Sequence, residues 1–209
     1  MLFRSWKSLD LLESLGIRPV KVNTVMMRGI NDNEIEAFAE LARTRPFIVR
    51  FIEFMPLDAE HRWATHDVIS GEEIRKTLES EFGPLIPVSR NDPSQPAFDY
   101  QYADGIARVG LINPVSQPFC QDCNRLRITA DGHVRNCLFS TVEWDVRQLM
   151  RGGATDEAIE QLVIWSHAVR GDSLFARTLV NRVPQLAGHG LESRKGLAAR
   201  AVFAEHACE

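Results

Sequence analysis

Cysteine is scarce in this 209-residue chain: there are four, Cys120, Cys123, Cys137 and Cys208, and none precedes Cys120. Four are too few to staple a chain of this length, which excludes a disulfide scaffold and leaves metal or catalytic roles for those that cluster. Excess positive charge is missing as well. Lys and Arg number 24 against 28 Asp and Glu, giving a net charge of -4 and a pI near 5.9. No overall field exists to hold nucleic acid or anionic lipid without specificity, so an anionic ligand must be held by local basic residues. No run approaches the ~18 apolar residues of a membrane span, and the N-terminal stretch MLFRSWKSLDLLESLG carries acids and lacks a signal-peptide core. A cytoplasmic location is therefore expected. The histidines, His61, His66, His133, His167, His189 and His206, form no ligand spacing. There is no internal repeat, no Ser/His/Asp set and no glycine-rich phosphate loop.

What is present suits a globular protein: 44% of residues are hydrophobic and 25% charged, enough for one sizeable core or two modest ones. Trp6, Leu9, Leu12 and Leu15 recur every three positions ahead of Gly16, which predicts a helix over Ser5–Leu15. Pro19–Val25 alternates as a strand, with Val20, Val22 and Thr24 on one side and Lys21, Asn23 and Val25 on the other. Asn31 or Asp32 can cap a helix over Glu34–Arg43. A nearly continuous apolar strand, Ile48–Phe54, is interrupted by Arg50 and Glu53, and Ser70 opens a helix that runs to Phe82.

This alternation predicts β/α crossovers and a parallel sheet buried on both faces. A closed barrel takes eight strands and about 250 residues, so only part of one fits here. Its exposed edges need covering by a further segment, a partner chain or the C-terminal part, and the isolated chain should be prone to aggregate. Near Arg90–Pro96 the regime changes: Asp104-Gly105 and Asp131-Gly132 mark two hairpins, the second between Leu126–Thr129 and His133–Leu138. Helices follow over Asp145–Met150 and behind Thr155, and the tail from Gly188 to Glu209 is rich in alanine. The expected division is residues 1–89, part of an incomplete α/β barrel, and 90–209, an α+β domain whose tail diverges from about 190.

Cys120 and Cys123 with Cys137 make a C-x2-C-x13-C pattern in which the hairpin turns Cys137 back toward the other two. Structural zinc asks for a fourth ligand, and the nearest, His133, sits at the hairpin tip away from Cys137. An iron-sulfur cluster on three thiolates instead keeps one iron open, where a substrate can bind. Arg125 and Arg127, two apart, share one face of a strand and offer fork geometry to phosphate or carboxylate; the plainer reading is a solvated basic edge. A three-residue loop would pair Cys137 with Arg125, and a two-residue loop would set it opposite Leu126. Lys21, Asn23 and Arg50 form a second polar group. They either line a ligand site or neutralise Glu53 in an ion pair.

The stretches PVKVNTVMMRGIND (19–32), RFIEFMP (50–56) and PFCQDCNRLRITADGHVRNCLFS (118–140), in this order and spacing, resemble the GTP 3',8-cyclase (MoaA) family of molybdenum cofactor biosynthesis. The resemblance runs from about Ser5 to about His189. It implies a radical S-adenosylmethionine lyase with an incomplete TIM-like α/β barrel and a C-terminal cluster domain. Such an enzyme cyclises GTP to (8S)-3',8-cyclo-7,8-dihydroguanosine 5'-triphosphate. By position, it makes Cys120, Cys123 and Cys137 the ligands of a 4Fe-4S cluster. Lys21, Arg125, Leu126 and Arg127 become GTP contacts, and Met55 an S-adenosylmethionine contact. Asn23 and Arg50 line the same cavity, toward a ligand that the resemblance does not specify. Two departures stand out: no family C-x3-C-x2-C motif occurs here, and the chain ends Ala207-Cys208-Glu209 instead of Gly-Gly. The expectation is a truncated form, inactive alone, working with a separate N-terminal half or as a homodimer, with GTP as ligand and neither membrane nor nucleic acid as partner. The alternative is a non-catalytic module that holds zinc or a cluster.

Overall fold

The structure, a computed structural model, describes residues 3–57, 63–119, 122–140 and 142–168. The chain divides into two compact units, Met1–Cys123 and Asn124–Glu209.

The first unit opens with helix α1 (Phe3–Ser14), closed by Gly16 in the left-handed region. Strand β1 (Val20–Met26) crosses through helix α2 (Ile35–Thr44) to strand β2 (Phe47–Glu53), and the two strands pair in parallel, with Val22 beside Val49 and Asn23 beside Arg50. Neither Asn31 nor Asp32 caps α2. The Asn31 amide accepts from the Met27 N–H at 2.8 Å and donates to the Val25 carbonyl at 2.9 Å, so it ties down the end of β1 instead. Ser70 does cap helix α3 (Gly71–Phe82): its hydroxyl accepts from the Glu73 N–H while the Glu73 carboxylate accepts from the Ser70 N–H, a reciprocal capping box.

Strands β3 (Leu85–Pro87), β4 (Phe98–Tyr102) and β5 (Arg108–Ile112) complete one sheet in the order β1-β2-β5-β4-β3. β5 lies parallel to β2 and antiparallel to β4, which is antiparallel to β3. The change of regime near Arg90 is thus a change of strand direction within one sheet, and the edge of β2 is covered by the segment that follows it. The sheet is open and mixed; among the described residues it does not close into a barrel. β3 escapes sequence reading because it is three residues long and bounded by prolines.

Helices cover one face of the sheet. Val49, Phe51, Met26, Val109 and Leu111 from the strands pack with Ala39, Ile74 and Leu78 from the helices, all essentially inaccessible. The other face of β1, expected to be buried, is exposed at Lys21, Asn23 and Val25. Also fully buried among the core side chains is a carboxylate. Glu53 accepts from the N–H groups of Gly71 (2.9 Å), Val115 and Ser116 (both 2.8 Å) and from the Ser116 hydroxyl.

In the second unit, β6 (Arg127–Ile128), β7 (His133–Arg135) and β8 (Trp144–Asp145) form an antiparallel sheet, shorter than the hairpin expected. Helices α4 (Val146–Arg151) and α5 (Asp156–Ala168) follow, α4 capped by the Asp145 carboxylate, which the sequence reading placed inside the helix, and α5 by the Thr155 hydroxyl. Val134, Trp144 and Leu162 make the core. The tail from residue 169 onward lies outside the described residues. No helix among those described is long and apolar enough to cross a membrane.

Loss of Glu53 leaves the N–H groups of Gly71, Val115 and Ser116 without this acceptor, the first of them buried. Glu53→Ala is expected to lower the free energy of unfolding by about 3 kcal/mol, measured by urea titration with tryptophan fluorescence. At the α3 cap, the Arg28 guanidinium at 2.6 Å, with the Ser70 amide and hydroxyl, holds the Glu73 carboxyl at about 2 against an ordinary 4.5. A depressed carboxyl stabilises the fold above its unfolded pKa and loses that effect as the proton is regained. Unfolding profiles between pH 5 and about 2 should therefore fall less steeply for Glu73→Gln than for the unsubstituted chain.

Candidate functional site

Strand parity places Lys21, Asn23 and Val25 of β1 on the same face as Ile48, Arg50 and Ile52 of β2. The register sets Asn23 beside Arg50, Arg50 beside Gly110 of β5, and Gly110 beside Asp99 of β4, so the four residues form one row across the sheet. Lys21 and Asn23 are exposed, whereas Arg50 is 9% exposed. The Arg50 Nη2 lies 3.5 Å from both carboxylate oxygens of Asp99, and one of these also accepts from the Gln95 amide at 2.9 Å. The Arg50 Nε is buried with no partner.

The alternative pairing of Arg50 or Lys21 with Glu53 is not formed. Residues 50 and 53 are an odd number apart and face opposite sides of the strand, and Glu53 is spent on backbone amides. Met55 is half-buried just past the end of β2, at the carboxyl edge where ligands of open α/β sheets bind. Sequence reading missed both Asp99 and the anchoring role of Glu53. The available signal was an acid inside the aromatic strand Phe98–Tyr102, paired with a strand carrying a glycine.

In the second unit the hairpin geometry resolves the question of register. Thr129 N–H donates to the His133 carbonyl at 2.8 Å, Gly132 N–H donates to the Thr129 carbonyl at 2.9 Å, and Gly132 has a φ of 84°. This is the three-residue loop Ala130–Asp131–Gly132, with glycine at the left-handed position. Arg127 pairs with Arg135 and Ile128 with Val134; continued two residues further, the same register sets Cys137 in line with Arg125.

Two arginines directly opposite each other repel. Arg135 is neutralised by Glu143, while the Arg127 Nη1 is buried and has no hydrogen-bond partner. Arg125 is half-buried, and the Leu126 side chain packs on the unit's core. His133 lies between two carboxylates, its Nδ1 3.0 Å from Asp131 and its Nε2 3.6 Å from Asp145. The Asp131 carboxyl is held below its ordinary range, chiefly by the Thr129 hydroxyl.

Cys123 and Cys137 are both half-buried. Cys120 lies outside the described residues, as do His61 and Cys208. Among the described residues no three His, Cys, Asp or Glu side chains gather as a metal site. Two partly accessible cysteines in a chain that has only four suit a soft metal or an iron-sulfur group, whose ligand is thiolate.

Comparison with known proteins finds a match to the family described as Molybdenum Cofactor Synthesis C over residues 47–174. The chain is 42% identical over 159 residues to a GTP 3',8-cyclase of Thermodesulfovibrio yellowstonii, covering 76% of this chain and 49% of that protein. It is 40% identical over 169 residues to one of Rhodopirellula baltica, covering 78% and 47%, and 41% identical over 168 residues to one of Streptomyces coelicolor, covering 78% and 49%. The chain thus spans about half the length of the curated relatives it matches.

The register that aligns Cys137 with Arg125 depends on Gly132. A Cβ there would meet the Arg147 Cβ at 2.5 Å in a backbone conformation that L side chains rarely adopt. Gly132→Ala is expected to destabilise the hairpin by about 1–2 kcal/mol, read as faster hydrogen exchange at the Thr129 and His133 amides.

Proposed function

Because the chain belongs to the Molybdenum Cofactor Synthesis C family, we propose that it carries the GTP-binding, cluster-holding part of a GTP 3',8-cyclase. That enzyme is a radical S-adenosylmethionine lyase, and it forms (8S)-3',8-cyclo-7,8-dihydroguanosine 5'-triphosphate in the first step of molybdenum cofactor synthesis. Cys120, Cys123 and Cys137 hold a 4Fe-4S cluster; when bound, such a group on three thiolates supplies an open iron to which a substrate base can coordinate. Arg125 and Arg127 contact GTP, chiefly its phosphates, and Lys21 is a further GTP contact. Leu126, its side chain committed to the core, contributes its main chain. Asn23 and Arg50 line a ligand cavity with Lys21, and Met55 meets S-adenosylmethionine.

The observation that carries this reading is the Arg127 guanidinium. It faces a second arginine across the hairpin, its Nη1 is buried without an acceptor, and the nearby carboxylate of Glu143 is taken by Arg135. The residue is half-buried, a donor left without an acceptor is satisfied by an anionic ligand, and the guanidinium fork fits phosphate. An incomplete-barrel architecture followed by a C-terminal cluster domain is part of the same proposal. The C-x3-C-x2-C motif is not in this sequence, so radical initiation must come from a separate radical S-adenosylmethionine half or from a longer form of the protein. A zinc module finds less support, because His133, the fourth ligand it would need, stands at the turn end of β7, away from Cys137.

Iron, sulfide and zinc measured per chain after anaerobic reconstitution provide the test. About four irons and four sulfides, lost in Cys123→Ala, are expected. Arg127→Ala should keep the cluster yet weaken GTP binding by about tenfold or more. One zinc and no sulfide would replace the cyclase reading with the zinc module.

A further inference from the structure

Gly110 is the one residue of the row Asn23–Arg50–Gly110–Asp99 that has no side chain, and its absence makes the row continuous. A Cβ built on Gly110 would lie 2.9 Å from the Arg50 Cγ and 2.9 Å from an Asp99 carboxylate oxygen. The Arg50 side chain therefore crosses the sheet over bare backbone to reach β4. Glycine inside a strand sacrifices packing and backbone entropy, and its usual compensation is the close approach of another group.

The contact made across it is unlike a structural ion pair. Charge-assisted N–H···O bonds settle at about 2.7–2.9 Å, whereas the Arg50 Nη2 stays 3.5 Å from both Asp99 oxygens and its Nε has no partner at all. Asp99 is itself anchored, through Gln95 at 2.9 Å. A guanidinium loses rotamer freedom when it is ordered, and a fixed carboxylate on one edge supplies part of that order before any ligand arrives. The remaining donors stay on the face where Lys21 and Asn23 are exposed.

We infer that Asp99, reached over Gly110, is a positioning residue for Arg50: it holds one edge of the guanidinium so that the rest is presented to the phosphates of a nucleoside triphosphate. This rests on the reading of the face as a GTP site. Asp99 touches no ligand in this scheme; it acts through Arg50.

The test uses the full chain, titrated with GTP and with guanosine. Asp99→Asn and Gly110→Ala should each weaken GTP by about tenfold and leave guanosine unchanged. Asp99→Asn should have no further effect in an Arg50→Ala background. A loss that adds fully to that of Arg50→Ala, an equal loss for guanosine, or tighter GTP would overturn the role. If the unsubstituted chain binds no GTP, the functional reading fails by itself. The NMR signal of the Arg50 Nε–H in the free chain then decides the clamp: it shifts or broadens on Asp99→Asn if the clamp exists, and an unchanged signal refutes it.

Discussion

The last residue of β2 carries a carboxylate that never meets water. Glu53 gathers the first N–H of α3, the N–H groups of Val115 and Ser116 beyond β5, and the Ser116 hydroxyl. A buried carboxylate is costly unless its lone pairs are filled, and here backbone donors from two separate segments fill them. The same contact fixes where α3 begins and how the chain leaves β5. Gly71 belongs to this arrangement, since a Cβ there would stand 2.1 Å from the Asn113 amide oxygen.

Around that anchor, strand parity divides the labour. One face of β1, β2 and β5 packs on α2 and α3 and is apolar apart from Thr24 and Glu53. The other face carries Lys21, Asn23 and Arg50, with an acid available from β4. A shift of one residue in any of these strands would exchange the faces, so the apolar core also enforces the placement of the charged row. In the second unit the same logic runs through a turn: the glycine of a three-residue loop sets the register, and the register brings two arginines face to face.

Much of this is legible locally. The Ser70–Glu73 capping box, the two Asp-Gly turns, the parity of Lys21, Asn23 and Arg50, and the Asp145 and Thr155 caps all rest on interactions a few residues long. What is not legible involves distant partners. The pairing of β5 with β2, the membership of β3, and the choice of Asp99 over Glu53 as the partner of Arg50 each depend on residues between 13 and 60 positions apart. Asn31 illustrates the limit from the other side: as a capping residue it was a sound expectation, and the strand end claimed its amide instead.

The sequence by itself determined which residues could do chemistry: a cysteine pattern with an adjoining arginine pair, and polar side chains at alternate positions of apolar strands. These follow from side-chain type and from the two-residue period of the strand, both local properties. Only the tertiary structure decided which charges are satisfied and which are left facing outward. Satisfaction is a matter of distance, and the distances from Glu53 to Val115, from Arg50 to Asp99 and from Arg135 to Glu143 are set by packing that no local pattern contains.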